Sequence, residues 1–160
     1  MSNYLRPKIR GATIYFEVAL ISDQSDLLVR EIDRLRRAVK ITRSERPFEV
    51  LAWTVLPHRM HCVWRLPVGD SDYATRWRSI KSRFSKGLSP ISLRASHVKR
   101  QERGVWQRRY WEHHIRDAED LRQHLRLCWQ SPVTAGLAQR PEDWPFSSLS
   151  VSRDKIKVSA

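Results

Sequence analysis

Two stretches of the chain concentrate side chains able to hold a metal or grip a phosphate. The first runs Ala52-Trp-Thr-Val-Leu-Pro-His-Arg-Met-His-Cys-Val-Trp-Arg-Leu-Pro67. A strand that delivers a histidine beside a turn presents it at a sheet edge, where a cation or phosphate can reach it. His58 and His61 are three residues apart, so on a continuous strand they point to opposite faces. They share a metal only if the turn at Pro57 and His58 bends them together. A lone strand histidine such as His61 is more often a hydrogen-bonded structural residue than a ligand. The second stretch, Arg103-Gly-Val-Trp-Gln-Arg-Arg-Tyr-Trp-Glu-His-His-Ile-Arg-Asp117, interleaves aromatics with Arg103, Arg108, Arg109 and Arg116. It reads as a groove that stacks bases and grips phosphates. The alternative is an amphipathic strand with Trp residues in the core and solvated arginines.

Charge favours the first of these readings. Thirty Lys and Arg face seventeen Asp and Glu, a net +13 over 160 residues. A polyanion neutralises such an excess by releasing its condensed counterions. Arginine forks onto phosphate and tryptophan stacks on unpaired bases. The 41% apolar content with 7 Trp excludes a disordered basic tail. No segment approaches the roughly 20 apolar residues of a spanning helix, and the N-terminus lacks the apolar run of a signal peptide. The reading is a cytoplasmic protein without membrane contact. Cys62 and Cys128 show no metal-type spacing and are expected to be reduced core residues.

The elements that position these groups follow from periodicity. Ala12, Ile14, Phe16, Val18 and Leu20 alternate, predicting a half-buried strand over 12–20. Leu28, Ile32, Leu35 and Val39 predict a helix over 25–42. Residues 48–55 are apolar on both faces, as in a central strand. A turn at Pro57-His58 leads into a strand over 60–66, with His61, Val63 and Arg65 on one face. A helix over 71–86 is capped by Asp70 or Ser71, and 88–104 reads as a loop. A strand over 109–116 is followed by a helix over 118–130, capped by Asp117 and ended by Pro132. Trp144-Pro145-Phe146 is expected to fold back on the core. This order predicts one α+β domain over 1–150, an antiparallel sheet with helices packed on one face, and a flexible tail over 151–160.

Taken in order, the motifs resemble the REP-associated tyrosine transposases, an IS200-like branch of the single-tyrosine HUH transposases. The resemblance is carried by the arm through Gly11, Arg46-Pro47-Phe48-Glu49, Leu56-Pro57, Trp64-x-Leu-Pro67 and Arg76-Trp77-Arg78-x-Ile80-Lys81. It continues through Trp106-Gln107-Arg108-Arg109-Tyr110-Trp111-Glu112-His113, Ile115-Arg116-Asp117 and Asp143-Trp144-Pro145-Phe146-Ser147. It implies a ferredoxin-like fold that recognises palindromic, hairpin-forming repeat DNA as a single strand. It also implies a His-hydrophobe-His pair holding Mg²⁺ or Mn²⁺, and a tyrosine on a later helix that attacks the DNA backbone to form a 5′-phosphotyrosine.

Mapped onto this chain, that machinery is altered. The first metal histidine falls on Arg59, which has no lone pair to offer, and the second falls on His61. The tyrosine falls on Leu127, and the polar residue one turn later is Ser131 where the family has Asn. The resemblance therefore implies a DNA-binding relative with catalysis lost and its Mg²⁺ or Mn²⁺ not bound, Arg59 replacing the cation's charge. One alternative is an active nicking and strand-transfer enzyme using Tyr110 as nucleophile and His58 with His61 as ligands. Another is an RNA-binding module built on the same groove. Expected nucleic-acid contacts are Arg6, Lys8 and Arg10 in the arm, Arg59, Lys81 and Arg83, and Arg108 and Arg109. A monomer or weak dimer is expected.

Overall fold

The computed structural model describes residues 7–88 and 105–150. Four strands, β1 (Thr13–Ala19), β2 (Glu49–Val55), β3 (Arg59–Arg65) and β4 (Trp111–His114), form one sheet in the order β2-β3-β1-β4, antiparallel throughout. With helices after β1, β3 and β4, this is the α+β arrangement that the pattern predicted and the ferredoxin-like fold that the resemblance implies.

The residues expected in one helix over 25–42 form two, α1 (Leu27–Arg30) and α2 (Ile32–Glu45), broken at Glu31. Helix α3 (Tyr73–Lys86) is capped by Asp72, whose side chain accepts from the Thr75 N–H at 3.0 Å, so the cap lies one or two residues later than expected. Helix α4 (Ala118–Thr134) begins at the predicted cap, with Asp117 accepting from the Asp120 N–H at 2.8 Å. It does not end at Pro132. A proline inside a helix strands the carbonyl four residues back; here that is Cys128, and the Ser131 hydroxyl donates to it at 2.8 Å. The helix therefore runs through its proline to Thr134.

Alternation assigns the strands' faces. Ile14, Phe16 and Val18 of β1 and Met60, Cys62 and Trp64 of β3 join Leu35, Trp77, Ile80 and Phe84 in the larger core. Trp64 stacks on Trp77 with centroids 4.3 Å apart, worth about 0.5–1.5 kcal/mol beyond burial. The expectation of helices on one face thus holds for α2 and α3. Helix α4 lies on the opposite face, where Cys128, Leu121, Leu125 and Trp129 meet Tyr15, Ala52 and Val63. Covering both faces also explains why β2 is apolar on both sides without being central. It is an edge strand within the sheet, and Trp144-Pro145-Phe146, which folds back as expected, lies along that edge: the Val55 N–H donates to the Phe146 carbonyl and the Trp144 indole to the Val55 carbonyl. Gly11, at φ +65, turns the chain into β1 and donates its N–H to Asp70.

Both cysteines are free and buried, as expected. Burial pushes the Cys128 thiol up to about 12, which marks it as inert. Among the described residues no helix is long and apolar enough to cross a membrane.

Candidate active site

The face of the sheet covered by α4 opens, beyond the helix, into a cavity of about 800 Å³. Its lining includes Tyr15 and Glu17 from β1, His58, Arg59 and His61 from the β2–β3 hairpin and β3, Trp111 from β4, and His124, Leu127 and Ser131 from α4. The hairpin closes with the Leu56 N–H donating to the Arg59 carbonyl at 2.8 Å, which leaves Pro57 and His58 at its tip. That bend brings His58 round to the side of His61. Residues 121–133 present Leu127 and Ser131 on successive turns, so the positions singled out on α4 and those on β3 share one chamber. Leu127 is 53% exposed there.

Arg59 is held from two sides. Its Nη1 donates to Glu17 Oε1 at 2.8 Å and its Nε to His58 Nε2 at 3.2 Å. The Tyr15 hydroxyl lies 2.7 Å from His61 Nδ1. Burial, and then the Arg59 charge, hold His58 below the usual histidine range. Burial holds His61 down too, with Arg59 acting in the same direction against the opposing pull of Glu17. Burial and Glu17 together push the Tyr15 phenol well above its normal range. Tyr15 is therefore a neutral phenol, hydrogen-bonded to His61 Nδ1.

A divalent cation at the position implied by the resemblance does not suit these residues. Arg59 puts a guanidinium where an imidazole would ligate, it occupies both Glu17 and His58, and Tyr15 takes one nitrogen of His61. One other group of three among the described residues brings ligand-type atoms within 4.8 Å of one another: His113 on β4 with Asp120 and His124 on α4. Asp120 Oδ2 lies 2.8 Å from His113 Nε2 and accepts the Arg116 N–H at 2.9 Å. Its Oδ1 is 3.0 Å from His124 Nδ1, and the two imidazoles stack at 4.2 Å. Burial alone would raise the Asp120 carboxyl, but the His113 bond and the Arg116 amide outweigh it and hold the group ionised. The cluster bolts β4 to the first turn of α4, the helix that carries Leu127.

The remaining expected residues scatter. Tyr110 packs against Phe16 and Trp77 on the α2–α3 face, across the sheet from His61. Lys81 donates to the Gln107 carbonyl at 3.0 Å and lies 5.0 Å over the Tyr110 ring. Arg83 joins α3 to α2 through Thr42 and through Glu45 at 2.6 Å. Arg108 and Arg109, and Lys8 and Arg10 of the arm, are exposed; Arg6 lies outside the described residues. Arg76 of α3 is 2% exposed and is spent on the Arg46, Asp72 and Pro47 carbonyls and on Asp70. Reasoning from sequence missed Tyr15, Glu17 and the His113–Asp120–His124 cluster.

No family model matches the chain. Individual relatives do. A REP-associated tyrosine transposase of Escherichia coli K12 is 40% identical over 149 residues, covering 93% of this chain and 83% of the relative. The chain belongs to the REP-associated tyrosine transposases. A Haemophilus influenzae relative is 38% identical over 152 residues, covering 93% of this chain and 86% of its own length. The solved structure of a REP-associated tyrosine transposase bound to a REP hairpin superposes with a TM-score of 0.83 at 40% identity, covering 96% of this chain and 87% of that one. A Deinococcus radiodurans crystal structure at 14% identity and TM-score 0.50 shares the fold alone. Within REP-associated tyrosine transposases, then, this chain carries an arginine–glutamate pair and a leucine in the chamber just described.

Proposed function

We propose that this chain binds single-stranded, hairpin-forming repeat DNA and holds it without forming a tyrosyl–DNA bond through α4. The observation that carries this reading is the pairing of Leu127 with Arg59 in one chamber. A leucine offers no nucleophile and an arginine offers no metal lone pair, yet the chamber remains open, and the exposed Arg108 and Arg109 stand shortly before Trp111 of its lining in the chain. Arg59, with its remaining N–H donors, is suited to a phosphate oxygen as a fixed cation. Binding of this kind is indifferent to chelation and falls steeply with salt. The test is to mix the protein with a labelled repeat hairpin and Mn²⁺, then run native and denaturing gels. A complex on the first and none on the second supports the reading; a denaturation-resistant adduct overturns it. A matched RNA hairpin as competitor separates DNA from RNA preference.

One contact favours a second reading, in which strand-transfer chemistry survives with a different nucleophile. Tyr15 lines the chamber, and its hydroxyl lies 2.7 Å from a neutral His61, the geometry of a nucleophile beside its base. Should an adduct form, Tyr15→Phe abolishes it under this second reading. Attachment at any other residue rules the second reading out.

A further inference from the structure

All seven tryptophans lie within the described residues, and six of them are buried or half-buried. Trp106, Trp129 and Trp144 each donate their indole N–H to the protein. Trp111 differs: it is 63% exposed. A large apolar ring left in water is the informative exception on a surface. It is not isolated. Leu127 and Leu137, 53% and 42% exposed, line the same cavity as Trp111.

Register places this ring. Trp111 is opposite Glu17, Glu17 opposite His61, and His61 opposite Thr54. Directly opposed residues share a face, so Trp111 ends a row that crosses the sheet through the candidate site. Strands are spaced about 4.8 Å apart, so its backbone stands about 10 Å from that of His61. Arg59, two residues before His61 on β3, reaches into the row by its bond to Glu17, and the exposed Arg108 and Arg109 stand three and two residues before Trp111 in the chain. A fixed cation, an exposed aromatic ring and two exposed leucines thus line one cavity.

We infer that Trp111 is a stacking platform for one unpaired base of the bound strand, adjacent to the nucleotide whose phosphate meets Arg59. This deepens the DNA-binding reading and rests on it. A flexible strand alternates anionic phosphates with planar apolar bases, which matches the arginine and the exposed ring that line one cavity. A duplex hides both faces of each base in its own stack, so the platform selects single strand over double strand. Leu127 and Leu137 shelter the stacked base from water, an apolar use for the position where the family carries its tyrosine.

The test uses the full chain with two probes, oligothymidine and a blunt duplex of equal length, read by fluorescence anisotropy. Trp111→Ala is expected to weaken oligothymidine binding about 5- to 150-fold, the cost of removing one base-stacking aromatic. The same change leaves duplex binding within about twofold, and Trp111→Phe retains most of the affinity. Oligothymidine carrying 5-iodouracil should photocrosslink to the tryptic peptide Tyr110–Arg116. Unchanged oligothymidine binding by Trp111→Ala, or equal losses on both probes, overturns the platform while leaving DNA binding intact. Failure of the unaltered protein to retain either probe overturns the DNA-binding reading itself. Because the ring is exposed, circular dichroism of both variants should match that of the parent.

Discussion

Glu17 restrains Arg59, the one arginine that lines the chamber among the described residues, and Glu17→Gln measures that restraint. The carboxylate sits 2.8 Å from Arg59 Nη1, with the two side chains 31% and 40% exposed. A phosphate accepting from the same guanidinium lies about 5 Å from the carboxylate. Two like charges at that distance repel by about 0.8 kcal/mol in water and by about 3 kcal/mol at an effective dielectric of 20. Partial exposure puts the effect near the lower limit, so removing the charge is worth about 1 kcal/mol, or about fivefold in affinity. Glutamine keeps the shape and still accepts a hydrogen bond. The variant is therefore expected to bind a labelled repeat hairpin about fivefold more tightly. Its plot of log affinity against log salt should steepen by up to about 0.9. Anisotropy titrations over a salt series read both quantities. If affinity and slope stay at parental values, or affinity falls, Arg59 does not meet a phosphate and the account of the chamber is wrong.

Three further outcomes follow from other contacts. Asp120→Ala removes the acceptor shared by His113 and the Arg116 amide, and should lower stability by about 1–3 kcal/mol in urea titrations. Arg108→Ala with Arg109→Ala should weaken binding to all sequences alike and reduce the salt slope by about 2. The Asp70 carboxyl is held below its ordinary value chiefly by its bond to Arg76. Its contribution is present above the unfolded pKa of about 3.9 and is lost as pH falls through the lower folded value. The stability gap between the parent and Asp70→Asn should therefore be largest near neutral pH and narrow below about pH 4.

Most of the fold was legible because local signals agreed with it. Alternation in β1 and β3, the Asp117 cap and the Pro57-His58 turn each point to a single structure. The face of α4 was not legible. Tyr15 and Glu17 alternate with core residues, so they look like the solvent side of a two-layer sheet, and only the placement of α4 makes that side an interior. Pro132 misled for a comparable reason: its cost is offset by a hydroxyl one residue earlier. Arg59, His61, Leu127 and Ser131 could be singled out by motif. The pairing of Arg59 with Glu17 could not, because it depends on β1 lying beside β3 in one register. Tyr110 and Tyr15 lie on opposite sides of the sheet, which strand parity and not residue type decides.

The central claim is that this chamber holds DNA with a fixed cation and leaves the strand intact. The most direct measurement incubates the protein with end-labelled repeat hairpin in Mn²⁺, in Mg²⁺ and in EDTA, and reads each mixture on native and denaturing gels. The account predicts equal bound fractions in all three and no label surviving denaturation with the protein. Binding lost in EDTA, or label carried on the protein through denaturation, would contradict it.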